Sequence, residues 1–438
     1  MTIVAGVNLW GRSIGAVSLA EDDRAASFQY DKDFAKSGIQ VSPLVMPLAE
    51  RIYQFPELPT HSFFGLPGLL ADSLPDKFGN ALIDAWLATQ GRSPESFSPI
   101  ERLCYTGARG MGALEFVPVP RNAPHAKKAR RIQVNNLVEL VAEVLNSRKS
   151  LHTSFASPKR KRALTDMLRV GTSAGGARAK AVIAWNPATD EVRSGQVPAD
   201  PGFEHWLLKF DGVKGNRDKE LEDPQGYGVI EYAYYLMASD CGIQINKCRL
   251  MEENGRRHFM ARRFDRTTDG QKLHMQSLGA LAHYDFNSVP GSYSYEQAFM
   301  AIRQLGLPMA ATEEQFRRMA FNIIGRNQDD HVKNIAFLMD KAGQWSLSPA
   351  FDMTYAYNPA GNWTARHQMS MNGKQSDFTL DDFRACGKAV LLKRGRAERI
   401  VEEVRAVFAN WQSYAEQAGV AETWAMQITE NLRLSGWD

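Results

Sequence analysis

The sequence predicts an α+β protein: a small β-rich N-terminal domain, then a larger mixed core that ends in an α-helical C-terminal lobe. Three observations carry this. Short strand patterns at 3–7, 15–19 and 26–30 alternate with glycine and acidic turns near the N-terminus. Helical periodicity takes over at the other end, across 383–392, 396–414 and 421–432. Between them, strands and helices lead to two polar stretches, 326–334 and 348–352, rich in acids and amides.

Composition narrows the function classes. The 438 residues suffice for two domains or one large one. A net charge of +3 is too small for nucleic-acid binding by the bulk of the surface. Cys104, Cys241, Cys248 and Cys386 lack metal-ligand spacing, and no signal-peptide pattern precedes them. They read as buried, reduced thiols of a cytoplasmic protein. No apolar run reaches the roughly twenty residues needed to span a bilayer.

Taken in order, the β-rich domain spans 1–120. Within it, residues 72–76 lead into a helical pattern in which Phe78, Leu82, Ala85 and Trp86 share a face. The segment 107–116 is glycine-rich, but it runs into a strand pattern without an acid or metal partner nearby, so it reads as a tight turn. Residues 121–165 carry basic clusters around an apolar helix, 137–145. No aromatic residues interleave these charges as a stacking surface needs, so the stretch reads as a solvated junction between domains.

The core, 166–438, opens with a glycine-rich loop: Gly171, Thr172, Ser173, Ala174, Gly175, Gly176, Ala177, Arg178, Ala179 and Lys180. A strand follows at 181–185. Small residues between two strands let successive backbone N–H groups approach phosphate oxygens. The loop lacks the Gly-Lys-Ser/Thr ending and following helix of a P-loop NTPase. In 205–210, Trp206, Leu208 and Phe210 share one strand face, while Lys209 joins Leu207 on the other. A lysine in an apolar strand is suited to nucleotide phosphates, supported by a carboxylate from a following helix. Glu231, opening the helical pattern 231–241 that Gly242 ends, is the best partner. Residues 259–266 read as a strand leaving the core into a hinge near 262–276. Asp265 either reaches a ribose or pairs with Arg262 or Arg266 as a structural acid.

The helical lobe, 290–438, contains the most informative stretch. Phe316, Met319, Ala320, Ile323 and Ile324 fall at helical spacing, so a core-facing helix runs up to Gly325 and a polar loop follows. The apolar run 335–339, the turn 341–344 and the strand 345–347 form a hairpin able to return Asp352 towards Asn334. A carboxylate, an amide five positions later and a second carboxylate after a short strand are what a protein-kinase-like phosphotransferase requires: a base and two magnesium ligands for ATP chemistry. Asp329 and Asp330 compete for the base role. Only Asp329 stands five residues before Asn334, the spacing of a kinase catalytic loop.

The ordered set resembles the HipA serine/threonine-protein kinase toxins of bacterial toxin–antitoxin systems, over nearly the whole chain. The matching segments are 15–17, 70–76, 171–180, 263–266, the Asp-Asp-His-x-Lys-Asn motif at 329–334, and 349–352. The resemblance implies a HipA-type, protein-kinase-like core using ATP and Mg2+. It assigns Asp329 as catalytic base, Asn334 and Asp352 as magnesium ligands, Lys209 as the ATP lysine, and 173–180 as the ATP loop. It also places Asp265 and His331 near the ribose and Lys333 among the ATP-contacting residues. Autophosphorylation of a serine in that loop, here Ser173 with Thr172 adjacent, implies self-inactivation. The implied partners are a HipB-like helix-turn-helix antitoxin, which alone meets DNA, and a protein substrate such as an aminoacyl-tRNA synthetase. Two other readings use the same residues: a small-molecule or lipid kinase, and a non-catalytic nucleotide-binding partner of a DNA-binding repressor. Retention of Lys209, Asp329, Asn334 and Asp352 together disfavours the last.

Overall fold

A computed structural model describes residues 2–20, 23–75, 80–81, 83–84, 87–88, 91–118, 180–195, 201–212, 226–253, 255–267 and 269–437. The glycine-rich loop up to Ala179, the basic junction, and Phe78, Leu82, Ala85 and Trp86 lie outside the described residues. The chain divides into two units: Met1–Gln225 with Arg249–Met275 and Met339–Gly343, and Gly226–Cys248 with Gln276–Leu338 and Gln344–Asp438.

Among the described residues, the first unit holds two five-stranded sheets. In one, β1 (Thr2–Leu9), β2 (Arg12–Ala20), β3 (Ser27–Tyr30), β4 (Ile52–Tyr53) and β5 (Leu114–Pro118) pair in the order β4-β3-β2-β1-β5, all antiparallel. The three strands expected near the N-terminus are β1 to β3. Trp10 and Gly11, both at positive φ, make the two-residue turn that joins β1 to β2 with the twist a tight hairpin needs. Trp10 is held in this unusual conformation by its indole N–H, which donates to the Lys272 carbonyl at 2.7 Å. Gly15 allows β2 to meet β3, because a Cβ there would lie 2.3 Å from the Gln29 carbonyl oxygen. Helix α1 (Pro99–Thr106) packs on this sheet, started by a Ser98/Glu101 capping box with Pro99 in its first turn.

The second sheet comprises β6 (Lys180–Trp185), β7 (Val192–Ser194), β8 (Glu204–Lys209), β9 (Cys248–Glu253) and β10 (Arg256–Arg262), in the order β7-β6-β8-β10-β9. Trp206, Leu208 and Phe210 are buried, as the alternation in 205–210 requires.

The second unit is mainly helical. Helix α2 (Tyr227–Asp240), with Gly226 at its N-cap, starts four residues before Glu231, where the sequence pattern opened it. Helix α3 (Leu278–Ala282) is capped by Ser277, α4 (Tyr295–Gln304) by a Ser294/Gln297 box, and α5 (Met309–Ile324) runs to Gly325. Strands β11 (His274–Ser277), β13 (Ala336–Met339) and β14 (Trp345–Leu347) form a small sheet, and β12 (Tyr293–Ser294) pairs in parallel with β15 (Met369–Ser370). The C-terminal helices are α6 (Leu380–Ala389), α7 (Arg396–Phe408), α8 (Trp411–Ala418) and α9 (Glu422–Asn431). The single helix expected over 396–414 is two. Asn410 leaves helical geometry, its amide donates to the Ala406 carbonyl at 2.9 Å, and Trp411 buries its ring with an N–H bond to Ala425.

Candidate functional site

The geometry of the second unit separates the two adjacent acids completely. Helix α5 ends where its backbone must turn sharply. A Cβ on Gly325 would lie 2.3 Å from the Phe408 ring, and Arg326 follows at a φ of 56°. The loop then presents Asp329 to solvent, its side chain 54% exposed, and buries Asp330. Both carboxylate oxygens of Asp330 are occupied. Oδ2 accepts from the Tyr295 hydroxyl at 2.6 Å and from His367 Nδ1 at 2.7 Å, and Oδ1 accepts from the Gln368 N–H at 2.8 Å. Burial first, then the Asp330 charge, pushes the Tyr295 hydroxyl well above its ordinary pKa. Of the two acids, only Asp329 is open to an incoming hydroxyl.

Asn334, half-buried in a 3-10 turn at Val332–Asn334, donates from Nδ2 to the Asp329 carbonyl at 2.8 Å. That bond assigns the amide orientation and leaves Oδ1 as its acceptor atom. After β13 and β14 the chain returns Asp352 to the loop, where its carbonyl accepts from Asn327 Nδ2 at 3.2 Å. Asp352 itself sits at a φ of 52°, an uncommon conformation for a residue with a side chain. Neither Asn327 nor Tyr295 nor His367 was identified from sequence. Their signal is polarity alone, and most of their partners lie tens of residues away.

Among the described residues, no group of three His, Cys, Asp or Glu side chains is placed to hold a metal ion. An amide oxygen and one carboxylate are instead the partial, all-oxygen set that magnesium accepts when phosphates and water complete its shell. Asn334 Oδ1 and the Asp352 carboxylate are donors of those two kinds. His331 Nε2 stands 3.9 Å from Asp329 Oδ1, and its ring tilts against Phe286. Lys333 places Nζ 4.2 Å from the centroid of the Phe286 ring, a cation–π contact. Glu231 is buried on α2, at 2% exposure.

In the first unit, Lys180 is the first residue of β6 and stands directly opposite Lys209 on β8; both are buried. Opposed residues of antiparallel strands project to the same face. Lys209 Nζ also lies 5.6 Å from the Phe259 ring centroid.

Asp265 has the structural role among the two read from sequence. It is fully buried, accepts from Arg263 Nε at 2.8 Å and Nη2 at 2.6 Å, from Arg266 Nη1 at 2.8 Å, and from the Gly112 N–H at 2.7 Å. Burial alone raises its pKa, but the two guanidiniums and these hydrogen bonds outweigh that and hold the carboxyl well below its usual range. Arg266 and Arg263 also donate to the carbonyls of Gly110 and Gly112, so the 107–116 turn is fastened to this strand end. Arg262 pairs instead with Glu204 at 3.8 Å. Cys241, Cys248 and Cys386 are buried, Cys104 is half-buried, and all four are free thiols. Ser173, Ala174, Gly175, Gly176, Ala177 and Arg178 lie outside the described residues.

Two family models match the chain. Residues 5–117 match the HipA N-terminal domain family, and residues 172–411 match the HipA-like C-terminal domain family. Among solved structures, HipA of the Shewanella oneidensis MR-1 HipA, HipB and operator DNA complex superposes with a TM-score of 0.67 at 16% identity, covering 97% of this chain and 96% of that one. The Helicobacter pylori proinflammatory kinase CtkA gives a TM-score of 0.32 at 12% identity, over 52% of this chain and 92% of its own. No curated protein matches the chain.

Proposed function

The chain belongs to the HipA family, and on that premise we propose that it is an ATP- and magnesium-dependent protein serine/threonine kinase acting as a growth-inhibiting toxin. The observation that carries this reading is the partition of the acid pair: Asp329 is exposed in a loop braced by Asn334, while Asp330 is consumed internally.

Asp329 accepts the proton of the acceptor hydroxyl as that oxygen bonds the γ-phosphorus and the bond to ADP breaks. Asn334 Oδ1 and the Asp352 carboxylate would hold magnesium, which when bound would neutralise charge on the phosphates. Lys180 and Lys209 supply positive charge for those phosphates, with Glu231 supporting Lys209. His331 and Lys333 flank Asp329 and contact the nucleotide. Asp265 acts at a distance, through the strand end it fastens.

Ser173 is the proposed autophosphorylation site. A phosphate there adds nearly two negative charges where the phosphates of ATP must bind, so the loop is repelled from its place and activity stops. The acceptor is a cytoplasmic protein, with an aminoacyl-tRNA synthetase as first choice. The partner is a HipB-like antitoxin, supported by the HipA–HipB–operator assembly of the Shewanella relative. DNA contact then comes through the antitoxin, in keeping with a net charge of only +3. Among the described residues no helix is long and apolar enough to cross a membrane.

The test is transfer from labelled ATP with magnesium into cell extract, by wild type, Asp329→Ala and Ser173→Ala, with labelled proteins identified by mass spectrometry. A labelled acceptor that disappears with Asp329→Ala, and persistent transfer by Ser173→Ala, are expected. Undiminished transfer or growth inhibition by Asp329→Ala would falsify the catalytic assignment.

A further inference from the structure

The structure assigns a second function to the catalytic loop: the Asp330–His367 pair is a positioning device, linked through Tyr295, Asn322 and Asn327 to the backbone of Asp352. This rests on the phosphotransfer reading above and adds residues which that reading does not require.

The five side chains form one continuous hydrogen-bonded path. Asn327 Nδ2 donates to the Asp352 carbonyl at 3.2 Å and to Asn322 Oδ1 at 2.9 Å. Asn322 Nδ2 donates to the Tyr295 hydroxyl at 3.0 Å, and that hydroxyl donates to Asp330 Oδ2 at 2.6 Å. His367 reaches the same oxygen from the other side at 2.7 Å. Every member is buried: Asn327 at 2% exposure, Asn322 at 9%, Tyr295 at 1%, Asp330 at 3% and His367 at 0%.

His367 Nε2 has no hydrogen-bond partner, so a proton on Nδ1 alone leaves no buried donor unpaired. Asp330 accepts three hydrogen bonds, and no lysine or arginine pairs with it among the described residues. Burying a carboxylate this way is costly, and a well-packed apolar group at that position avoids the cost. What the carboxylate provides is direction. It ties residue 330 from two sides, so Asp329, its neighbour, leaves the loop at a set angle towards solvent. The far end of the path holds the carbonyl of Asp352 in its left-handed turn. A displacement of about 1 Å of a reacting group is enough to cost about a hundredfold in rate, which sets the scale of what such bracing supplies.

The test compares Asp330→Asn, His367→Leu, His367→Asn and Tyr295→Phe with wild type and with Asp329→Ala, measuring kcat, KM for ATP and the magnesium concentration for half-maximal rate. Far-UV circular dichroism selects variants that fold. Asp330→Asn and His367→Leu are expected to lose about a hundredfold in kcat with KM for ATP nearly unchanged. His367→Asn, whose amide N–H can replace Nδ1–H, is expected to recover most of that loss. Tyr295→Phe is close to isosteric and keeps the Asp330–His367 contact; it should lower kcat and raise the magnesium requirement, and it keeps the proposal testable if Asp330→Asn does not fold. Wild-type kcat in folded His367→Leu and Tyr295→Phe overturns the proposal. So does equal loss in His367→Asn and His367→Leu, which reduces the site to packing. Transfer surviving in Asp329→Ala would instead overturn the base assignment, whatever the other variants show.

Discussion

Lys180 and Lys209 are register partners on adjacent antiparallel strands, both buried and projecting to one face of the sheet. Two like charges directly opposite each other destabilise a strand pair unless anions face them. If both meet the phosphates of ATP, then Lys180→Met and Lys209→Met each raise KM for ATP, by about tenfold or more for a hydrogen-bonded charge contact. Because the two share one anionic ligand, the double substitution should cost less than the product of the singles. Titration of ATP in the transfer assay measures this, and fully additive effects would separate the lysines.

Asp265→Asn distinguishes nucleotide contact from fastening. Removing one member of a buried ion-pair cluster costs about 3–5 kcal/mol. The expected result is a lower thermal midpoint with KM for ATP little changed in the protein that remains folded. The reverse, normal stability with a raised KM, would return Asp265 to the ribose.

The same residue makes stability depend on acid. The Asp265 carboxyl is held below its unfolded value, so its contribution is fully present above pH 4 and declines as pH falls further. His258 and His274 act earlier. Burial lowers both from 6.5 to about 4, and His258 Nδ1 must stay unprotonated to accept the Asp211 N–H at 3.0 Å. The unfolded state therefore binds more protons between these values, and stability falls as pH drops from 6.5 towards 4. Thermal midpoints recorded from pH 7.5 to 4.5 should decline. His258→Asn, which has no such titration, should flatten part of the slope.

Gly325→Ala tests the helix end that launches the catalytic loop. The added Cβ would meet the Phe408 ring at 2.3 Å and the Phe321 carbonyl at 3.0 Å. Overpacking of this kind costs about 1–3 kcal/mol. Loss of thermal stability is expected together with reduced transfer, and Phe408→Leu in the same chain should recover part of both. Recovery of neither would place the defect elsewhere.

Much of this protein was legible in local sequence. Strands β1 to β3, helix α5 up to Gly325 and the β13–β14 hairpin follow from periodicity and turn residues, because those signals act over a few neighbours. The five-residue spacing that favours Asp329 over Asp330 is likewise local. The break between α7 and α8 was missed because apolar periodicity ran on through Asn410, whose side chain ends the first helix. What the tertiary structure alone decided is which partner each polar group meets. Asp330 was visible only as a rival base until Tyr295, His367 and Gln368 closed around it from distant segments. Asp265 had two readings until Arg263, Arg266 and Gly112 engaged both of its carboxylate oxygens. Lys180 belonged to a loop until the register set it opposite Lys209. Residue type and spacing determine which groups are capable of chemistry. Only folding brings together groups far apart in the chain, and with that contact it decides whether a carboxylate stays open to solvent or is bound within the core.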